Sequence, residues 1–243
     1  LLDGRRVVVK VQHADIECRV REDMEVLGGL ATLATPIPEL EVWKPTVLVE
    51  QLSKSLKREL NFSRELQNLQ LFARELEHYP GIRIPAPYPE LSSSRVLTME
   101  LLCGLPVSKF KEAEQSGIDD ATRQRLAKTA AEVYVEMIFI HGVYHADPHP
   151  GNVLVVGECD LGLLDFGMVG RIDDRLRETI EEMLLAVASR DTSLLTTLIK
   201  RVGNTPPRLD ESLLSIDVAD LIANYGSQPL DSFDLSGALN DVT

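Results

Sequence analysis

Cysteine is scarce in this chain and badly placed for structural work. Cys18, Cys103 and Cys159 are widely separated and odd in number, and no Cys-x-x-Cys pair occurs. That spacing carries no metal-site signature and suits a reducing compartment, with the thiols packed as small apolar groups. Basic charge is also short. Against 38 acidic residues stand 25 basic ones, for a formal net charge of −13. A nucleic-acid binder would need a basic stripe, so that class is disfavoured. Arg5, Arg6 and the group Lys54, Lys57 and Arg58 read as solvated faces, although a local patch leaves membrane contact open. No run of about eighteen apolar residues is present, so no transmembrane helix is expected. The most apolar helical stretch, Val133 to Ile140, is interrupted by Glu136. No signal peptide is visible, and no internal repeat. A hydrophobic fraction of 44% is ordinary for a globular chain. At 243 residues, one domain of two lobes is the simplest organisation.

What the chain does contain is a dense run of polar residues near its middle. His145-Ala-Asp147-Pro-His149-Pro-Gly151-Asn152 is followed by Asp165-Phe166-Gly167. Asn152 comes five residues after Asp147, and Asp165 thirteen after Asn152. This is the spacing of a phosphoryl-transfer catalytic loop and its metal-binding segment. One carboxylate handles the attacking hydroxyl or water, while an amide oxygen and a second carboxylate hold magnesium against the phosphates. Between them, Asn152-Val-Leu-Val-Val156, Gly157-Glu-Cys-Asp160 and Leu161-Gly-Leu-Leu164 read as strand, turn and strand. Such a hairpin brings Asp147, Asn152 and Asp165 to one edge.

Two other readings of the loop stay open. His145, Asp147 and His149 could serve as zinc ligands, or they could form a polar loop held by backbone hydrogen bonds. The upstream lysine bears on this choice. Arg5-Arg-Val-Val-Val-Lys10-Val-Gln12 reads as a strand, preceded by an Asp3-Gly4 turn and a strand end at Leu1-Leu2. Alternation places Val7, Val9 and Val11 on one face and Val8, Lys10 and Gln12 on the other. Lys10 is then either a solvated edge lysine or the lysine that a phosphate site requires.

A mostly helical stretch is expected from about Val47 to Glu77, with Leu52, Leu56, Leu66, Leu69, Phe72 and Leu76 at helical spacing. It carries Glu59-Leu-Asn61-Phe62-Ser-Arg-Glu65-Leu-Gln-Asn68. Periodicity alone leaves Glu59 and Glu65 as surface charges. Taken with Val8-Val9-Lys10-Val11-Gln12, the His145–Asn152 loop and Asp165-Phe-Gly167, this segment resembles the UbiB/AarF family of atypical kinase-like proteins. The resemblance runs from Leu1 to about Gly170, and the Glu59–Asn68 segment is its most specific part.

The resemblance implies an α+β, two-lobed, protein-kinase-like fold. Residues 1–98 would form a small mixed N-lobe with antiparallel strands, 99–105 a hinge, and 106–243 a mainly helical C-lobe. It also implies roles. Lys10 contacts the nucleotide phosphates and pairs with Glu65, Glu59 being the rival partner. Asp147 is the catalytic-loop aspartate, and Asn152 and Asp165 bind Mg2+. Met99 lies at the back of the ATP pocket, or is a plain core methionine, with Glu100 and Leu102 on the hinge. The family's Glu-x-Asp element reads Glu59-Leu-Asn61 here, one carboxylate short. The family's lysine-glutamine motif and alanine-rich loop would precede Leu1, so the chain reads as a fragment of a longer protein.

Elsewhere, Pro36, Pro38 and Pro45 mark a connection, and Pro80 to Pro89 an extended linker. Arg95 to Met99 reads as a strand that Gly104 and Pro106 terminate. Asp119 or Asp120 caps a helix that stops at Gly142, and Asp173 caps another. That second helix starts so soon after Gly167 that no long activation segment fits, and Ala-Pro-Glu is missing, so peptide phosphorylation is disfavoured. The tail after Pro206 mixes short apolar runs with Asp, Ser and Gly, and its last dozen residues read as weakly ordered.

Three functions follow as expectations. The first is a magnesium-dependent ATPase or phosphotransferase whose family ties imply isoprenoid quinone or membrane-lipid metabolism. Its partners would be nucleotide, isoprenoid lipid or quinone-biosynthesis proteins, at a cytoplasmic membrane face reached through segments beyond this chain. The second is a small-molecule phosphotransferase resembling aminoglycoside or choline kinases. The third is a catalytically silent nucleotide-sensing or lipid-binding scaffold.

Overall fold

A computed structural model of the chain describes residues 1–37, 40, 43–109, 119–203 and 210–225. It is a mixed α+β structure with several small sheets. Two compact units divide between Gly170 and Arg171.

In the first unit, the β-branched run Val7–Val11 forms β1, as its composition favours. It pairs antiparallel with β3 (Val96–Glu100), setting Val8 opposite Met99 and Lys10 opposite Leu97. Leu1 to Gly4 is not a strand. Gly4 takes a positive φ of 85° and its N–H closes a turn on the Leu1 carbonyl. Asp3 is occupied by Arg5 at 2.6 Å, so the turn serves itself rather than a hairpin.

Two helices follow, α1 (Ile16–Ala34) and α2 (Pro45–Glu59), the latter with proline at its start where no N–H is missed. The stretch expected to be helical up to Glu77 breaks at Asn61. Asn61 is extended (φ −104°, ψ 94°), and its side chain accepts the Ser63 N–H, capping α3 (Phe62–Glu75). A capping asparagine offers the backbone an alternative to continuing the helix, which is why the break falls there. Gln12 donates to the Leu60 carbonyl at 2.8 Å, and the Phe62 N–H to Ser94 at 3.0 Å. The start of α3 is thereby fixed to the chain just after β1 and just before β3.

The short strand β2 (Ile82–Arg83) runs parallel to β7 (Asp160–Leu163) in a four-stranded sheet ordered β2-β7-β6-β4. β6 (Val153–Val156) and β7 form the hairpin around Gly157, whose φ is +60°. β4 (Gly104–Pro106) pairs with β6, so Gly104 and Pro106 build a strand instead of ending one. The reason is close approach. A Cβ on Gly104 would lie 2.4 Å from the Val155 carbonyl oxygen, a backbone atom that cannot step aside. We expect Gly104→Ala to destabilise the protein by about 1–3 kcal/mol. A urea unfolding midpoint equal to wild type would show that β4 can shift away from β6.

Helix α4 (Asp120–Phe139), capped by Asp119 onto the Thr122 N–H, ends before Gly142 at φ +62°. Two three-residue strands, β5 (Val143–His145) and β8 (Val169–Arg171), then pair with one another. The main core joins Leu69 and Phe72 of α3 and Leu76 just beyond it with Met99, Leu126, Val133, Met137, Val155, Leu163 and Phe166. Segments on both sides of residues 99–105 therefore share one core.

The second unit contains α5 (Asp174–Ala188), capped by Asp173, with α6 (Thr192–Val202) and α7 (Glu211–Tyr225). Ala186, Leu195, Leu198, Val218 and Ile222 form its core. The final dozen residues, read as weakly ordered from composition, lie outside the described residues. Among the described residues no helix is long and apolar enough to cross a membrane.

Candidate active site

The site grows from two elements that meet at Asp165. From β1, Lys10 reaches inward and its Nζ lies 2.7 Å from Glu65 Oε1 and 3.3 Å from Asp165 Oδ2. Glu65 is buried on the first turn of α3, whereas Glu59 is exposed at the end of α2. The Phe62 ring lies 5.6 Å from the ammonium. Burial alone pulls the Lys10 pKa down, but Glu65 and then Asp165 more than offset it, so the net shift is upward from 10.5. The ammonium thus stays charged well beyond neutral pH. Burial pushes the Glu65 carboxyl up, against the pull of Lys10.

The loop from His145 to Asn152 is tied to the segment around Asp165 by three hydrogen bonds. Leu164 N–H donates to the Asn152 carbonyl at 2.8 Å, and Ala146 N–H to the Met168 carbonyl at 3.1 Å. His145 Nε2 meets the Leu164 carbonyl at 2.9 Å. That carbonyl needs a donor, so Nε2 carries the proton and Nδ1 is left to accept the Asp147 N–H at 3.3 Å. His145 is 2% exposed, and its ring edge packs on Phe166. His149 instead accepts the Gly151 N–H through its own Nδ1. The two histidines therefore serve separate backbone groups.

Asn152 Nδ2 donates to Asp147 Oδ2 at 3.0 Å, which leaves the amide oxygen facing away from that carboxylate. Asp147 Oδ1 accepts no hydrogen bond among the described residues. Tyr134 of α4 donates its hydroxyl to the His145 carbonyl at 3.1 Å. Burial, and next the Asp147 charge, push the Tyr134 pKa up to about 12, so the phenol remains a donor at neutral pH. Asp165 sits at φ +55°, and its Oδ1 accepts the Gly167 N–H at 3.1 Å. The positive φ is uncommon for a residue other than glycine, though aspartate tolerates it better than most.

Met99 is buried in the core beside Val8. Glu100 turns its side chain back to the Ala86 N–H at 3.1 Å, and its own N–H is taken by the Ala86 carbonyl. Leu102 packs over Gly162 of β7, where a Cβ would come within 3.2 Å of its Cδ1. These three residues line up along one strand and its exit, and among the described residues no side-chain hydrogen bond or ion pair links them to Lys10. His145 and His149 bond backbone groups, as the polar-loop alternative expects, whereas the tie from Gln12 to Leu60 and the contact of Tyr134 with the loop were not expected from the sequence. A tyrosine eleven residues ahead of the loop carries no local signal, since only tertiary packing brings the two together.

The donor set fits a hard cation. The Asp165 carboxylate and the Asn152 amide would offer it oxygen donors, which suit magnesium better than zinc.

Comparison with known proteins places this arrangement. The ABC1 atypical kinase-like domain matches residues 1–199. AarF domain-containing protein kinase 1 of Gallus gallus is 34% identical over 84% of this chain and 39% of its own length. A protein of Xylella fastidiosa named as probable protein kinase UbiB is 28% identical over 98% of this chain and 44% of its own. The Arabidopsis thaliana chloroplastic protein named Activity of BC1 complex kinase 8 is 31% identical over 86% of this chain and 28% of its own. The chain thus spans less than half the length of these relatives. Among solved structures, the Mycobacterium tuberculosis protein Rv3197, determined with erythromycin, superposes with a TM-score of 0.70 at 19% identity, covering 91% of this chain and 54% of that one. The chain belongs to the ABC1 atypical kinase-like domain family, which also includes proteins named AarF and UbiB kinases.

Proposed function

We propose that the chain is the ATP-binding catalytic part of a magnesium-dependent ATPase or phosphotransferase with a two-lobed, kinase-like arrangement. The observation that carries this reading is the Lys10 ammonium held between Glu65 and Asp165, beside a loop presenting Asp147 and Asn152. Lys10 is charged and fixed by a buried carboxylate, so it is ready to meet phosphate oxygens without reorganising. Asp165 and Asn152 would hold the metal, which when bound neutralises charge on the phosphates. Asp147, with one oxygen fixed by Asn152, can orient the attacking hydroxyl or water and accept its proton. Met99 would back the adenine pocket, and Glu100 and Leu102 would lie on the hinge.

The acceptor we favour is water or a small lipid-like molecule of the isoprenoid quinone type. Family membership supports it, as does the short passage from Gly167 to the Asp173 cap, which leaves little chain for docking a peptide. Calorimetric titration with ATP, with and without magnesium, tests the binding step. Wild type should bind, and Lys10→Met should lose about tenfold or more in affinity, the scale of a charge-assisted hydrogen bond. Equal affinity in the two proteins would mean that Lys10 does not meet the nucleotide.

A further inference from the structure

Helix α3 touches the Asp165–Gly167 segment at three places on one face. Glu65 holds it through Lys10, Phe72 packs its ring 5.1 Å from the Phe166 ring, and between them Asn68 Nδ2 donates to the Phe166 carbonyl at 2.8 Å. Positions 65, 68 and 72 fall at i, i+3 and i+7, one stripe of the helix. The Asn68 contact differs from its neighbours in what it controls. The Phe166 carbonyl and the Gly167 N–H belong to a single planar peptide unit. Fixing the carbonyl end toward α3 aims the N–H end the opposite way, and that N–H is the donor to Asp165 Oδ1 at 3.1 Å. The second oxygen, Oδ2, is set by Lys10.

We infer that Asn68 is a positioning residue for Asp165: it orients the Phe166–Gly167 peptide, whose N–H sets the direction of the Asp165 carboxylate. Through this peptide the placement of α3 decides whether Asp165 can serve a cation, a consequence that rests on the nucleotide reading above. The side-chain donor is essential, because the contact faces a carbonyl oxygen. Asn68→Asp keeps the shape but sets a carboxylate oxygen against that carbonyl, which repels it. Asn68→Ala removes the donor without adding charge.

Two measurements on the full chain separate the positioning role from the nucleotide reading. The first is amide hydrogen exchange at Gly167 in the absence of nucleotide, where both variants should exchange about tenfold faster than wild type, the effect of losing one hydrogen bond. Protection in the core of α4 should be unchanged, which confirms that each variant is folded. The second is ATP titration with and without magnesium. Asn68→Asp should lower the magnesium-dependent gain in affinity about tenfold, and should have no further effect when combined with Asp165→Asn. Wild-type Gly167 exchange in both variants overturns the inference. So does faster exchange with an unchanged magnesium gain, because Asn68 would then hold the Phe166–Gly167 peptide without setting the Asp165 carboxylate. If wild type itself shows no magnesium-dependent binding while Gly167 exchange still accelerates in the variants, the peptide orientation by Asn68 stands and the nucleotide reading falls.

Discussion

Replacing Asp165 with asparagine is expected to abolish the magnesium-dependent part of ATP binding and leave the fold in place. Asparagine tolerates the left-handed φ of +55° as well as aspartate does, and its amide oxygen can still accept the Gly167 N–H. Lys10 keeps Glu65 at 2.7 Å, so the β1–α3 link survives. The Asp165 side chain is 46% exposed, and a change of this kind at such a site usually moves stability by less than about 0.5 kcal/mol. The metal, by contrast, would lose its charged ligand. Removing an outer partner of a metal ligand already costs about 10–100-fold in metal affinity, so removing the ligand's charge should cost at least as much. Thermal unfolding should therefore match wild type, while titration with ATP and magnesium should resemble titration without it. A variant that retains the full magnesium effect would move the cation away from Asp165.

The parts of this site that were legible in the sequence share a property: their spacing is set within one short stretch of chain. Asp147, Asn152 and Asp165 are separated by a loop and a tight hairpin, so fixed intervals translate almost directly into position. Alternation along a five-residue strand put Lys10 on the face of Val8, and the family resemblance rather than alternation pointed to Glu65 as its partner. What was not legible depends on the rotation of one element against another. Asn68 could have been any polar residue on an exposed helix face; its amide acquires a role only because α3 is turned so that Glu65, Asn68 and Phe72 all face Phe166. Leucines recur at helical spacing on both sides of Asn61, so the apolar pattern hides the break that the Asn61 cap produces. Gly104 and Pro106 looked like terminators because both usually are, and the close approach to Val155 that makes glycine necessary is a tertiary fact. Strands β5 and β8 have three residues each, too few to show any period. Yet they flank the His145–Asn152 loop and the Asp165 segment, and with the bond from Ala146 to Met168 they hold the two together.

Turnover supplies the remaining large effect. Asp147→Asn should lower phosphate release from ATP by about 10²–10⁴-fold, the range for removing a general base, with much less effect on ATP affinity. Two contacts support this expectation. One oxygen is fixed by Asn152, and the backbone N–H of Asp147 is held by His145, itself pinned to Leu164. An isosteric amide fits the same space, but it cannot take a proton from a hydroxyl or water. It also sets two amides side by side where a carboxylate and an amide had satisfied one another. The carbonyl oxygen of the substituted side chain can still accept from Asn152, so the loop should keep its shape. The expected signature is a fall in kcat with KM nearly unchanged. Peptide libraries should remain unmodified by the wild-type protein, because β8 and the Asp173 cap follow Gly167 so closely that little chain is left to seat a peptide. Positioning and charge stabilisation supply most of the rate in phosphoryl transfer, so phosphate release is a sensitive readout of both. Vigorous peptide phosphorylation that disappears in Asp147→Asn would assign the catalytic loop correctly and overturn the proposed acceptor. Phosphate release unaffected by the substitution would remove Asp147 from the chemistry altogether.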